Sequence, residues 1–271
     1  MTTREAIPVR KVELPFGDDI PRHWIDDSAV ATHFFNGLNL VFPDGERFFI
    51  RAVQDHVDRI TDDDLRARIK GFAGQEGWHA KQHERYFEIL EGQGYRIRGF
   101  LRHFRRFIRW SNRLVPAALR LSITAGAEHY TATLGANALD NPLLEQAHPV
   151  MRQLIHWHAL EELEHKSVAF DVLRQTHPSQ ALRIAGFVIA SLALLGWTWV
   201  GTRLLLRQDG VDPRAARAEL RRLRRVTKAQ MERALAAGVR AYRRRDFHPD
   251  EKDDSALVRR GLDSIRDLVA A

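Results

Sequence analysis

The sequence contains no cysteine among its 271 residues. Disulfide bonds and thiolate metal sites are therefore excluded, and any bound metal would have to be held by histidine and carboxylate side chains. Such ligands suit hard or borderline ions such as iron, manganese or zinc. The N-terminal stretch also has no apolar signal region, which argues against secretion and favours a cytoplasmic location.

Alternating runs typical of β-strands are scarce, while glycine and proline gather at a few junctions. With 44% hydrophobic and 28% charged residues, the composition is that of an ordinary folded protein. The chain is long enough for one bundle domain with appendages. These patterns predict an all-α fold built on an antiparallel four-helix bundle, with an extra hydrophobic helix and a basic C-terminal helical region.

Helical periodicity and its interruptions divide the chain into segments. We expect an extended lead-in at 1–28, a metal-binding bundle at 29–175, a hydrophobic helix at 176–208 and a basic helical region at 209–271. Pro43 either kinks the first bundle helix or opens its second part. The predicted bundle helices span 29–60, about 62–90, 116–139 and 149–174.

One segment, His156–His165, brings two imidazoles and a carboxylate together on one helical face. At about 100° per residue, His158, Glu162 and His165 fall within roughly one third of the circumference. Glu161 and Glu164 are expected to point elsewhere. A buried stripe of this kind is costly unless a metal or a counter-charge satisfies it, whereas a solvated helix face is the alternative interpretation.

The same chemistry recurs along the chain in a fixed order. Glu-x-x-His places an acid and an imidazole on one face, because positions three apart are neighbours on a helix. Acids on adjacent bundle helices would lie at similar heights, since their spacing matches one helix plus a turn. The candidate ligands, in order, are Glu46, then Glu76 with His79, then Glu128, then Glu162 with His165.

This order resembles that of the ferritin-like di-iron carboxylate proteins, over about residues 30–175. The resemblance implies a ferritin-like bundle with Glu46, Glu76, His79, Glu128, Glu162 and His165 as six ligands of two metal ions, which we expect to be iron. By analogy Glu76 and Glu162 would bridge the ions. His158, four residues before Glu162, resembles the added ligand of di-iron arylamine N-oxygenases. His83 is either a further ligand or a residue that contacts one.

The whole chain resembles a bacterial family labelled "predicted metal-dependent hydrolase". The residues that carry this resemblance lie in FPDGERFF, GQEGWHAKQH and EELEHKSVAFD.

From the di-iron resemblance we expect an oxidase or oxygenase that uses O2 and an electron donor on a small hydrophobic substrate. The small residues around Glu128 are expected to leave room for O2 or substrate. The first alternative is a dinuclear metal-dependent hydrolase, because the same ligands can activate water. The second alternative is a non-enzymatic, membrane-associated metal-binding bundle.

The charge distribution points to a surface partner. The formal net charge is +7, and the basic excess lies mainly in 96–113 and 214–245. Residues 185–202 carry no charge and have arginine on both sides, which is typical of a short membrane span or of a helix buried in the bundle or against another copy. We therefore expect association with the inner face of the membrane or a homo-oligomer. No recognised nucleic-acid motif is present, so no nucleic-acid partner is expected.

Overall fold

The computed structural model describes residues 7–269, and at 224–231, 267 and 269 it describes the backbone alone. The predicted all-α fold is confirmed, and residues 1–6 of the predicted lead-in lie outside the described part. The helices are α1 Ala29–Asn39, α2 Phe42–Gln54, α3 Asp63–Gly92, α4 Arg98–Leu114, α5 Ala117–Ala138, α6 Pro149–His165, α7 Val168–Thr176, α8 Gln180–Gln208, α9 Pro213–Arg243, α10 Ser255–Ser264 and α11 Arg266–Val269.

Local capping chemistry explains where the ligand-bearing helices begin. Pro43 lies in the first turn of α2, where its missing N–H costs nothing, so it opens a second helix rather than kinking one. Asp62 caps α3 by accepting hydrogen bonds from the backbone N–H groups of Asp64 and Leu65. These starts fix the heights at which the mid-helix side chains reach the bundle interior.

Four helices form a closed bundle around the polar centre. α2 packs against α3 and α5, and α6 packs against the same two helices. Large apolar side chains such as Phe48, Phe72, Leu121 and Trp157 are buried between them. Their burial supplies the main driving force for assembling the bundle and holds the polar side chains away from water.

The fourth bundle helix is shorter than predicted. It ends at His165 rather than near residue 174, and α7 starts afresh at Val168. No glycine or proline marks this break, so the sequence carried no local signal for it. Tertiary contacts hold the junction instead: Arg68 donates to Oγ of Ser167 at 3.2 Å, and Nζ of Lys166 donates to Asp254 at 2.8 Å.

The hydrophobic helix α8 lies along the bundle. It packs against α5 and α1, and glycines make the close approach between helices. At Gly126 of α5, an added Cβ would lie 2.6 Å from the Cα of Phe187. By length and composition α8 could cross a membrane, and 28% of its most apolar stretch is buried inside the protein. Among the described residues, α8 is the one helix long and apolar enough to cross a membrane.

The segment after α9 folds back onto the ligand-bearing side of the molecule. Phe247 packs against the rings of Phe170 and Tyr242. His248 donates through Nε2 to Asp171 at 2.8 Å, and Gly261 of α10 approaches Leu160 of α6. The phrase Phe-His-Pro at 247–249 therefore ties the end of α9 to α7.

Candidate metal centre

The four predicted acids meet in the middle of the bundle. Glu46 from α2, Glu76 from α3, Glu128 from α5 and Glu162 from α6 are all at most 4% exposed. Carboxylates are rarely buried so completely unless they are paired or bound to a metal. The site therefore requires an explanation beyond helix packing.

A first group of donors combines the two Glu-x-x-His pairs. Glu76, His79, Glu162 and His165 each offer an atom such that all four atoms lie within 4.8 Å of one another. Nε2 of His165 lies 3.4 Å from Oε1 of Glu76, and its Nδ1 lies 2.9 Å from Oε2 of Glu128. All five side chains thus converge on one buried volume, as the order of residues in the sequence predicts.

A second group adjoins the first and contains Glu46, His83 and His158. Nε2 of His158 lies 2.9 Å from Oε1 of Glu162, which joins the two groups. Nε2 of His83 lies 2.7 Å from Nδ1 of His158. If Nε2 of His158 donates to the Glu162 carboxylate, Nδ1 of His158 accepts from Nε2 of His83. Nδ1 of His83 then carries a lone pair that has no hydrogen-bond partner. The structure therefore brings both predicted extra histidines to the site.

The hydrogen bonding of the centre is conspicuously incomplete. Buried polar atoms nearly always have a partner, and each one without a partner costs on the order of 1–3 kcal/mol. Within the described residues, the following buried atoms of the centre have no hydrogen-bond partner: Glu46 Oε1 and Oε2, Glu76 Oε1 and Oε2, His79 Nδ1, His83 Nδ1, Glu128 Oε1, Glu162 Oε2 and His165 Nε2. Oxygen and imidazole nitrogen donors in this number fit two metal ions.

A second cluster of similar composition shows the contrast. His23, His33 and Asp209 also lie within metal-binding distance of one another. Here, however, both histidines contact Oδ2 of Asp209 at 2.6–2.7 Å, and Arg22 and Tyr95 bind the same carboxylate. Both oxygens of the Asp209 carboxylate have hydrogen-bond partners, and the Arg22 guanidinium balances its charge. This cluster is therefore a hydrogen-bond network that connects the end of α8 to the lead-in.

Glu161 contradicts the expectation that it points away from the centre. It is fully buried and accepts a hydrogen bond from Nε2 of His79 at 2.9 Å. Arg10, in the lead-in, donates to Glu161 at 3.1 Å and binds both carboxylate oxygens of Glu164 at 2.7 Å. The sequence signal for this burial is the number of acids between Leu160 and His165. Three of the four residues there are glutamates, so they cannot all lie on one solvated stripe of the helix. His129, beside Glu128 in sequence, instead contacts the carbonyl of Gly238.

The acids of the centre repel one another in the absence of cations. The pKa of Glu76 is raised to about 8. Burial and the charge of the Glu162 carboxylate raise it, and the attraction of His165 opposes them. Burial likewise raises the pKa of Glu128 to about 8. The pKa of Glu46 is raised well above its usual value by burial and by the charges of Glu76 and Glu162. Metal cations would relieve exactly this repulsion.

The imidazoles divide into two kinds. Burial lowers the pKa of His83 and of His158, so both rings are neutral, which is the form that binds metals. Burial would also lower the pKa of His165, but the carboxylates of Glu128 and Glu162 outweigh it and raise the pKa to about 10. His165 therefore serves as the local counter-ion of the acids.

Aromatic rings seal the centre. Phe42 lies against His83 and His158 with ring centroids 4.9 and 4.6 Å apart, and Phe72 lies 5.0 Å from His165. Trp157 contacts His79 edge-on at 4.8 Å. This apolar wall lowers the local dielectric and strengthens every charge interaction inside it.

Two glycines of α5 allow neighbouring helices to pack closely. An added Cβ at Gly126 would lie 2.6 Å from the Cα of Phe187 on α8, and one at Gly135 would lie 3.0 Å from the carbonyl oxygen of Ala159 on α6. The expected room for O2 or substrate beside Glu128 stays a prediction. A cavity of about 240 Å³ lies beside α5, lined by residues including His129, Lys166 and Phe247.

Comparison with known proteins gives one match. A family model described as "Predicted metal-dependent hydrolase" matches residues 8–253, which include every side chain of the centre. No curated protein and no solved structure matches the chain.

Proposed function

The chain belongs to the family of predicted metal-dependent hydrolases, and we propose that it hydrolyses a small-molecule substrate with two metal ions bound in the bundle centre. The family description supports hydrolysis, whereas the sequence taken alone favoured an oxidase. The observation that carries the proposal is the set of buried carboxylate oxygens and imidazole nitrogens that have no hydrogen-bond partner. Native proteins do not bury so many polar atoms in one place without a ligand for them.

The two donor groups suggest how the ions would be shared. Glu46 and His83 would hold one ion, with His158 as an added ligand, while His79 and His165 would serve the other. Glu76 and Glu162 would serve as further carboxylate ligands, with Glu162 also in contact with His158, and Glu128 would bind beside His165. Glu161 and Arg10 would keep the His79 ring in the tautomer that presents Nδ1.

A pair of bound divalent ions supplies a Lewis acid and lowers the pKa of a bound water to near neutrality. The protein's own contribution is to fix the ligands and to limit access of bulk water. Phe42, Phe72 and Trp157 form the apolar wall that does this. Both carboxylate oxygens of Glu46 lack partners, so with one of them on an ion the other would accept the proton released by the attacking water.

A second candidate function is O2-dependent oxidation of a small hydrophobic substrate, with two irons and an external electron donor. The observation that favours it is the completeness of the seal, because every acid of the centre is at most 4% exposed. Oxidation chemistry benefits from exclusion of water, whereas hydrolysis must admit it. The order of ligands, which resembles that of di-iron proteins, points the same way.

Metal content and oxygen dependence test both candidates. The protein would be purified from cells supplied with iron, manganese and zinc, and its metals measured beside Glu76→Gln/Glu162→Gln. We expect about two ions per chain in the native protein and a loss of both in the variant. The control is Glu84→Gln/Glu88→Gln, which alters two acids of α3 outside the centre and should retain both ions.

Turnover then separates the reactions. Hydrolysis of a panel of esters, amides and phosphoesters under anaerobic conditions, with zinc or manganese bound, would support the hydrolase. Oxygen consumption by the iron-loaded, reduced protein, without anaerobic hydrolysis, would support the oxidase instead. Absence of bound metal in the native protein after reconstitution would overturn the dinuclear centre itself.

A further inference from the structure

One face of α8 is an uninterrupted apolar stripe open to solvent. Its exposed members recur every three or four residues, from Val188 through Leu192 and Leu195 to Trp199. Leu192 is 70% exposed and Leu195 is 56% exposed. The stripe ends at Arg203, whose guanidinium lies 5.2 Å from the centre of the Trp199 ring. Single exposed apolar residues are common, but a stripe along about three turns of one helix marks a contact surface.

The amphipathic helix α4 carries a similar surface. Phe107, Trp110 and Leu114 lie on one side of it, and Trp110 is 65% exposed. Trp197 of α8 joins the two helices, because its ring lies 5.5 Å from the ring of Phe107. Phe107 is itself exposed, so the apolar surface of α4 begins where α4 meets α8.

Both helices are positively charged without compensation inside their own sequence. Neither α4 nor α8 contains a single Asp or Glu. The arginines of α4 are Arg98, Arg102, Arg105, Arg106, Arg109 and Arg113.

Two of these arginines are neutralised from other parts of the chain. Arg98 binds Glu91 at 2.7 Å, and Arg105 binds Asp44 at 3.2 Å. For Arg106 and Arg109 no acidic partner is present among the described ion pairs, and both are exposed. The protein thus presents apolar side chains bordered by exposed arginines. Such a surface is complementary to a partner with an apolar interior and an anionic edge.

We propose that α4 and the exposed face of α8 together bind an anionic membrane surface. The apolar stripes would enter the boundary between headgroups and acyl chains, tryptophan would sit at that boundary, and the arginines would contact lipid phosphates. The protein is thereby a peripheral one that rests on the bilayer, a site consistent with the predicted inner-face location.

The packing of α8 argues for resting on the membrane rather than crossing it. The face of α8 opposite the stripe is fixed to the bundle: Phe187 packs on Gly126 of α5, and Thr198 packs on Gly37 of α1. Moving α8 into a bilayer would break these close contacts with α5 and α1.

Charge also favours lipid over a second copy of the chain as the occupant. A symmetric dimer through this surface would bring the arginines of one α4 close to those of the other copy. Like charges that meet at an interface without acids between them are destabilising. An anionic lipid surface turns the same arginines into attractive contacts, at roughly 1 kcal/mol for each charge near the surface.

Vesicle binding by the full chain tests the proposal. The probes are vesicles of phosphatidylcholine alone and of phosphatidylcholine mixed with phosphatidylglycerol. We expect binding to the mixed vesicles that weakens with added salt, at least about tenfold weaker binding for Arg106→Glu/Arg109→Glu, and a similar loss for Leu192→Glu/Leu195→Glu. Arg51→Glu/Arg259→Glu and Leu262→Glu change exposed residues elsewhere and should bind like the native protein.

Far-UV circular dichroism and bound metal would verify that each variant is folded. Equal binding to neutral and anionic vesicles, or equal binding by Arg106→Glu/Arg109→Glu, would overturn the role of charge. The native protein's failure to bind either vesicle would overturn the membrane surface. In that case a dimer in lipid-free buffer that Leu192→Glu/Leu195→Glu dissociates would assign the stripe to a second copy.

Discussion

Glu161 accepts a hydrogen bond from Nε2 of His79 at 2.9 Å, which leaves Nδ1 of the same ring facing Glu76 at 3.9 Å. Arg10 binds Glu161 from the other side and fixes the carboxylate in turn. A carboxylate behind a ligating histidine selects its tautomer, orients its ring and raises its basicity. The chain of contacts from the lead-in to the centre would therefore belong to the candidate metal site.

Glu161→Gln should weaken metal binding by roughly tenfold to a hundredfold, because His79 loses the charge that orients it. Titration of the metal-free protein with zinc or manganese, followed by calorimetry, measures the change. Glu164→Gln is the matched control, since it alters the other acid bound by Arg10 and leaves the contact with His79 in place. Equal losses in the two variants would contradict an orienting role for Glu161.

The metal-free protein should lose stability as the pH rises from about 6.5 to about 8. The pKa values of Glu76 and Glu128 are about 8 in the folded protein and 4.5 in the unfolded reference, so folding keeps protons that unfolding releases. A raised acid pKa gives stability at low pH that is lost as the pH passes the folded value. Two retained protons give a slope of up to about 3 kcal/mol per pH unit in urea denaturation with chelator, and the raised pKa of His165, about 10, extends a shallower slope beyond pH 8.

Bound metal should abolish most of that slope, since the ligands are then deprotonated and proton release accompanies binding. Below about pH 6.5 the lowered pKa values of His83 and His158 make stability rise with pH, because the unfolded chain then binds more protons at these residues. The predicted loss of stability with rising pH therefore starts at about pH 6.5. The same slope in Glu76→Gln/Glu128→Gln would assign it to other groups.

Glu46→Gln should stabilise the metal-free protein by about 1–3 kcal/mol while weakening metal binding. Both oxygens of Glu46 are buried without partners, and neighbouring acids repel its charge. Thermal unfolding in chelator, beside metal titration, measures both effects. Glu88→Gln on α3 should change neither quantity, and a destabilised Glu46→Gln protein would argue for a structural contact of Glu46.

Asp171→Asn should destabilise the protein by about 3 kcal/mol at neutral pH, because Arg68 loses its charged partner inside the protein. Burial would raise the pKa of Asp171, but hydrogen bonds from His248 and Arg68 lower it to about 2. The stability from Asp171 is therefore present above about pH 4 and is lost as the pH falls through about 2.

Acid titration of unfolding in both proteins would test this, and the difference between them should shrink over that interval. Asp58→Asn, at an exposed acid, is the control and should follow the native curve. A difference that does not depend on pH would exclude the charge of Asp171 as its origin.

Gly186→Ala should lower the free energy of unfolding by about 1–3 kcal/mol, because the added methyl would overlap the backbone of Ser122 on α5. Gly196→Ala is the matched control on the same helix. Nothing lies within 4 Å of a Cβ at that position, so the change should raise stability by about 0.5–1 kcal/mol. Chemical denaturation of the two variants provides the comparison, and an unchanged Gly186→Ala would contradict the close packing of α8 on α5.

The order of acids and histidines predicted the composition of the centre because helix periodicity converts spacing into position. Glu76 with His79 and Glu162 with His165 share a face by geometry alone, and the bundle then brings those faces together. The extra imidazoles of His83 and His158 followed from the same rule. The ligand roles of all these residues stay predictions until metal is measured.

Three features could not be inferred from spacing. Glu161 is adjacent to Glu162, yet it also reaches His79 of α3, and it meets an arginine distant in sequence. The break after His165 arises from contacts with Arg68 and Asp254 rather than from a local breaker. The glycines of α5 pack against α8 and α6, because only the tertiary arrangement decides what a small residue admits.

The return of residues 247–261 onto α6 and α7 has a consequence for biosynthesis. All four helices that carry the candidate ligands leave the ribosome before this segment does. His248, Asp254 and Gly261 then close over the helices that hold Glu162 and His165. Nascent chains therefore pass through an interval in which the candidate ligands are already synthesised while the segment that packs over α6 and α7 is not.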